Sequence, residues 1–215
     1  MNFISLTITR VPGHDHASIG YALDAGASIM IPQIDTVEQA RAVVSFAKFG
    51  SKISGTRSAP PCRFAPGIGD ICLNVSNTLY QNLNRQAAII IQIESLQGIK
   101  NLDSILTEVG HDIDSVWLGT YDARASMEFN AGGAWGDEKE WLDAVELYEA
   151  TLRKHNMPAS GLAFGDPATI KRTAKIRSFL VTTIDFYSLI GQGLQDIGTY
   201  RKEFRAKDYS EVYDA

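Results

Sequence analysis

Few cysteines, no long apolar run and no excess of one charge sign limit what this 215-residue chain can be. Its two cysteines, Cys62 and Cys72, are too few for a disulfide scaffold. They read as thiols of a reducing compartment, so the expected location is cytoplasmic. No segment approaches the ~20 consecutive apolar residues of a membrane span. The N-terminus shows neither the basic start nor the cleavage site of a signal peptide. The net charge is −5, without a block of either sign, which argues against nucleic acid or an anionic membrane as the main partner. No Gly-x-Gly-x-x-Gly follows the first strand, so a dinucleotide fingerprint is missing too. What remains is ordinary globular composition, 45% apolar and 21% charged, at a length that suits one α/β domain over 1–215.

Two apolar runs stand out. Ile89-Ile90-Ile91-Gln92-Ile93-Glu94 and Trp117-Leu118-Gly119-Thr120-Tyr121-Asp122 each end in a carboxylate. Neither alternates, so each reads as a strand covered on both faces, as in a parallel sheet. Residues 97–109 between them have helical spacing. The unit is strand–helix–strand with an acid at the C-terminal tip of each strand, the end where chemistry collects in such folds. A pair of carboxylates there suits a hard cation such as Mg2+. Gln92 and Glu94, two residues apart on one strand, should share a face.

The same pattern repeats along the chain. Residues 3–9 read as a strand, broken by Val11-Pro12-Gly13. Asp15 caps a helix with Ile19, Ala22 and Leu23 on its apolar side, and Gly26 ends it. Residues 28–31 are a strand, and Thr36 opens a helix with Ala40, Val43, Val44 and Ala47 inward. Residues 50–87, with Pro60, Pro61, Pro66 and several glycines, read as a long loop that could cover a substrate through Arg57, Arg63, Phe64 and Tyr80. Residues 138–155 read as a helix, 160–164 as a strand, 167–174 as a helix, 179–184 as a strand and 187–204 as a last helix. About six strand–helix units point to a parallel α/β fold, doubly wound or barrel. His14-x-His16 lies in a polar turn and reads as a solvated helix start. Asp112 and Asp114 precede a strand, at the end away from the chemistry, and read as structural.

Six motifs in order carry a family resemblance: Arg10-Val11-Pro12-Gly13, Asp24-Ala25-Gly26-Ala27, Ile31-Pro32, Thr36-Val37-Glu38-Gln39-Ala40, Gln92-Ile93-Glu94-Ser95 and Gly119 to Asp122 with Ser126-Met127. Together they resemble the HpcH/HpaI aldolase family, and Pro66-Gly67-Ile68-Gly69-Asp70 is similar to its fungal, macrophomate synthase-like branch. The resemblance implies a TIM-barrel-like (β/α) fold, here truncated to about six β/α units because the family's barrel begins two strands earlier. That upstream part carries a catalytic histidine in the family.

The resemblance further implies a carbon–carbon lyase that is divalent-metal-dependent and acts on 2-oxo acids, by retro-aldol cleavage or decarboxylation. Its alternative is a catalytically impaired or non-catalytic relative that keeps the metal site and acts in an oligomer. Glu94 and Asp122 match the ligands of Mg2+ (or Mn2+ or Co2+). Arg10 and Gln92 match catalytic positions, and Arg10, Gln33, Tyr80, Thr120 and Tyr121 are the expected substrate contacts. Gln33 stands where the macrophomate synthase-like branch has histidine, and Thr120 where the family's Gly-Pro-x-Asp-Leu turn has proline. The resemblance also implies a trimer or hexamer, with 187–194 packing on a neighbour.

Overall fold

The computed structural model describes residues 7–50, 54–59, 74, 76–129, 136–162, 171, 177–181, 190–191 and 193–199. Six parallel strands form the main sheet: β1 (Ile8–Arg10), β2 (Ser28–Ile31), β5 (Ile89–Ile93), β6 (Ser115–Leu118), β7 (Ala159–Leu162) and β8 (Arg177–Val181), paired in that order. All neighbours run parallel, with Ile29 opposite Ile89 and Ile91 opposite Val116. β1 and β8 are the edges, and no ladder joins them among the described residues. This is the parallel α/β architecture expected from the sequence.

Local chemistry explains where the helices begin. In α1 (His16–Asp24) the Asp15 carboxylate accepts the Ser18 N–H at 2.8 Å, and that bond holds its pKa below the ordinary carboxylate value. Gly26 closes the turn after it with φ 86°, a left-handed conformation costly for a residue with a Cβ. α2 (Val37–Ala47) starts with a reciprocal capping box between Thr36 and Gln39. Ser95 caps α4 (Leu96–Val109) by accepting from Gly98 N. α6 (Lys139–Lys154) buries Trp141, Ala144, Tyr148 and Leu152, four residues at helical spacing.

The two faces of the sheet differ. Ile89, Ile91 and Ile93 join Ile29, Ile31, Val116 and Leu118 in a core under α1, α2, α4 and α6. The alternate residues Met30, Ile90 and Trp117 form a smaller cluster on the other face, flanked by Ile8, Leu162 and Val181. Truncating any one of the fully buried isoleucines to alanine would cost about 2–5 kcal/mol.

Residues 50–87 are not one long loop. β3 (Phe49–Gly50) and β4 (Gly55–Thr56) pair as a short antiparallel hairpin, and α3 (Leu79–Gln86) begins at a Thr78/Gln81 capping box. Proline and glycine density concealed both, because two-residue strands and an eight-residue helix are too short to show a period. Arg63, Phe64, Cys62 and Cys72 lie outside the described residues, as do most of 167–174 and 182–189.

Among the described residues, no helix is long and apolar enough to cross a membrane.

Candidate active site

Parallel pairing of β5 with β6 sets their C-terminal tips side by side, and the two carboxylates beyond those tips meet. Glu94 follows β5 directly and is buried at 5% exposure. Asp122 lies in the first turn of α5 (Thr120–Ser126), after β6. Both line one cleft of about 400 Å3 with His14, Gln33, Asp35, Gln39, Ser95 and Ser126. Burial raises the pKa of Glu94 above its ordinary 4.5. The Gln33 N–H opposes that shift, the Asp122 carboxylate adds to it by charge and direct contact, and Arg10 opposes it.

Glu94 is held from two sides. Its Oε2 accepts the Gln33 N–H at 2.9 Å. Gln33 has φ 53°, a left-handed backbone that a non-glycine residue adopts at a cost. That conformation turns the chain after β2 over the tip of β5, where Ile34 N donates to Gln92 O at 3.0 Å. On the other side, a Cβ on Gly119 would lie 2.6 Å from Cγ and Oε1 of Glu94. Gly119 is therefore glycine for space, so that β6 can pass beside the carboxylate.

Gln92 and Glu94 share the face opposite the helical core, as strand alternation requires: the intervening Ile91 and Ile93 belong to that core. The Arg10 Nε donates to Gln92 Oε1 at 2.9 Å, so the guanidinium at the end of β1 is fixed across β2 onto the floor of the site. Thr120 is buried and Tyr121 half exposed at the start of α5, beside Asp122. The helix thus begins two residues before Asp122. α5 is anchored from behind by Arg124, whose guanidinium makes a two-pronged ion pair with Glu138 at 2.6 and 2.9 Å and lies over Trp141.

Two expectations need correction. Tyr80 is not brought to this cleft: it sits on α3 with its ring 5.0 Å from Phe49. Arg57 is equally remote, its buried guanidinium bonded to Asp24 at 3.0 Å and stacked on the Phe49 ring. Both belong to the opposite end of the strands, because Asp24 ends the helix that leads into β2. Conversely, His14 is no solvated turn residue. It walls the cleft, half-buried, with Nε2 2.6 Å from Pro32 O. His16 remains exposed and bonds Thr56 O. His14 could have been found from its place in the loop after β1, since such loops at the C-terminal rim carry function. Asp35 and Ser95 also join the cleft unforeseen, hydrogen-bonded to each other.

Fold and site together define a parallel α/β protein with a carboxylate pair at the C-terminal rim of adjacent strands. The profile of the HpcH/HpaI aldolase/citrate lyase family matches residues 2–168, and the chain belongs to that family. It is 30% identical over 203 residues to a hydroxypyruvate/pyruvate aldolase of Roseovarius nubinhibens, covering 91% of this chain and 72% of that protein. It is 35% identical over 120 residues to a 4-hydroxy-2-oxovalerate aldolase of Novosphingobium aromaticivorans, covering 55% of this chain but only 42% of the relative. Among solved structures, macrophomate synthase superposes with a TM-score of 0.76 at 28% identity, covering 93% of this chain and 68% of that one. An HpcH/HpaI aldolase of Desulfitobacterium hafniense, at 21% identity and a TM-score of 0.76, shares the fold.

The donor set fits a hard divalent cation: two carboxylates in contact, in a cleft where burial disfavours the charge of Glu94. No cluster of three or more His, Cys, Asp or Glu side chains able to hold a metal occurs among the described residues. Two protein carboxylates are a usual complement for Mg2+, which keeps its other positions for water and substrate oxygens.

Proposed function

We propose that this chain is a divalent-metal-dependent carbon–carbon lyase for 2-oxo acids, acting by retro-aldol cleavage or decarboxylation through an enolate. The observation that carries the reading is the meeting of Glu94 and Asp122 at one rim. Family membership and the aldolase names of its relatives support it. When bound there, Mg2+, Mn2+ or Co2+ would supply Lewis-acid stabilisation to the 2-oxo group.

The chain's own residues divide the remaining work. Glu94 and Asp122 hold the cation, Glu94 kept in place by the Gln33 N–H and by the absent side chain of Gly119. Arg10, steadied by Gln92, presents a permanently charged fork to the oxygen on which negative charge develops. Thr120 and Tyr121 border the substrate carboxylate at the turn into α5, and Gln33 borders the part of the substrate that leaves or adds. Assembly as a trimer or hexamer, and a cytoplasmic location, belong to the same reading.

Calorimetry tests it directly. Wild-type protein should take up one Mg2+ per chain, and Glu94→Gln should take up none under the same conditions. Equal uptake by both would sink the assignment. Oxaloacetate should lose CO2 in the presence of wild-type protein and Mg2+, and metal uptake without turnover would instead favour the impaired relative.

A further inference from the structure

We propose that His14 is the proton-transferring group of this site, taking a proton from and returning it to C3 of the 2-oxo acid. This rests on the lyase reading above and names the residue that would serve as its base.

The walls of the cleft leave few candidates. Glu94 and Asp122 are committed to the cation. Gln39 accepts the Asp35 and Thr36 N–H groups at 2.8 and 3.1 Å. Ser95 caps α4 and donates to Asp35. Ser126 accepts the Leu96 N–H at 3.2 Å and donates to Ala123 O at 2.7 Å. Gln33 has an amide side chain, which is no base. Asp35 is tied to Ser95 and pressed against α4, where a Cβ on Gly98 would stand 2.9 Å from its Oδ1. His14 is the imidazole of the cleft, and imidazole is the side chain that exchanges protons most readily near neutral pH.

Its hydrogen bond fixes its tautomer. Pro32 O is a carbonyl and can only accept, so Nε2 carries the hydrogen across the 2.6 Å contact. In the neutral ring the lone pair is then on Nδ1. The same peptide unit that accepts from His14 through Pro32 O donates through Gln33 N–H to Glu94 Oε2 at 2.9 Å. One peptide group therefore bridges the imidazole and the metal carboxylate, and each bond polarises the other. The left-handed turn at Gln33 is what presents both ends of that peptide to the site.

The C3–H electron pair becomes the C2–C3 double bond, the carbonyl π pair moves onto the C2 oxygen, and the proton passes to Nδ1. The imidazolium returns a proton to C3 in the reverse direction, or loses it to water. Loss of CO2 from oxaloacetate reaches the same enolate without removing any proton, so it does not need His14 to begin.

Proton exchange at C3 tests the assignment. Wild-type protein with Mg2+ in D2O should exchange the methyl protons of pyruvate, followed by proton NMR. His14→Gln and His14→Asn should lower that exchange by roughly 10²–10⁴-fold while Mg2+ affinity stays within about threefold. Independently of turnover, the imidazole 15N signals of wild-type His14 should show hydrogen on Nε2 and move when pyruvate is added to the Mg2+-loaded protein. Exchange unchanged in both variants would overturn the proposal, and so would hydrogen on Nδ1. Mg2+ affinity lost with either folded variant would overturn it by making His14 a ligand. A wild-type protein that takes up no Mg2+ and releases no CO2 would instead remove the lyase reading beneath it.

Discussion

The two ends of the parallel sheet both bury polar side chains, yet they treat them in opposite ways. At the N-terminal end Lys48, Asp114 and Arg57 each meet a complementary protein group. Lys48 Nζ donates to Asn84 O and Ala87 O at 2.7 and 2.8 Å. Asp114 accepts the Ile89 N–H at 2.8 Å, and Arg57 pairs with Asp24. At the C-terminal end, Glu94 and Asp122 are set against each other, and burial works against the charge of Glu94. Complementary partners make a closed structural contact, whereas like charges held together leave a place for a cation. Residues that hold the fold are thus matched to complementary groups, whereas the two rim carboxylates are set against each other.

The largest effect that would test this division lies at the closed end. Lys48→Met leaves two carbonyls without their donor and should cost about 3 kcal/mol, a fall in Tm of roughly 6–12 °C. Mg2+ affinity by calorimetry should not change. A variant that folds well but binds Mg2+ weakly would show that the two ends are coupled. At the open end the expected pattern is reversed. Gly119→Ala drives a methyl into the Glu94 carboxylate, and displacing one ligand should weaken Mg2+ binding roughly 10–100-fold, by analogy with the loss of an orienting partner. Its Tm without metal should stay close to wild type, and an unweakened Mg2+ isotherm would show that Glu94 does not need this space.

Legibility in the sequence followed the same division. The carboxylate pair could be read because a non-alternating strand fixes where its tip points and consecutive parallel units are neighbours in the sheet. Gln92 was placed on the face of Glu94 by alternation alone. The caps at Asp15, Thr36 and Ser95 are short-range, so their residues announce them. His14 is legible only through its place in the loop after β1, because its sequence neighbours do not distinguish a solvated histidine from one bonded to a carbonyl 18 positions away. Tyr80 and Arg57 are illegible for a related reason. An arginine in a proline-rich stretch looks like a substrate clamp until the chain folds and Asp24 is found beside it. The turn at Gln33 left no trace, because its left-handed backbone is imposed by what it reaches over rather than by the residue itself.

The smallest effect is also the sharpest, because its sign differs from that of an ordinary lost hydrogen bond. In metal-free protein Glu94 has a pKa raised above 4.5, first by burial and with Asp122 adding to it. Between the ordinary and the raised value the folded chain holds more protons than the unfolded one. Stability therefore falls as pH climbs through that window, and the loss persists at neutral pH. Glu94→Gln removes the loss. Without metal at pH 7 the variant should melt above wild type by about 2–4 °C, equivalent to about 1 kcal/mol. Below pH 4.5, where wild-type Glu94 is protonated in both states, the gap should close. Saturating Mg2+ should then raise the Tm of wild type and leave the variant where it is, since only the chain that binds the ion gains from it. A variant that melts below wild type at pH 7 without metal would place Glu94 beside Asp114, as a carboxylate kept for the fold, and would erase the contrast between the two ends.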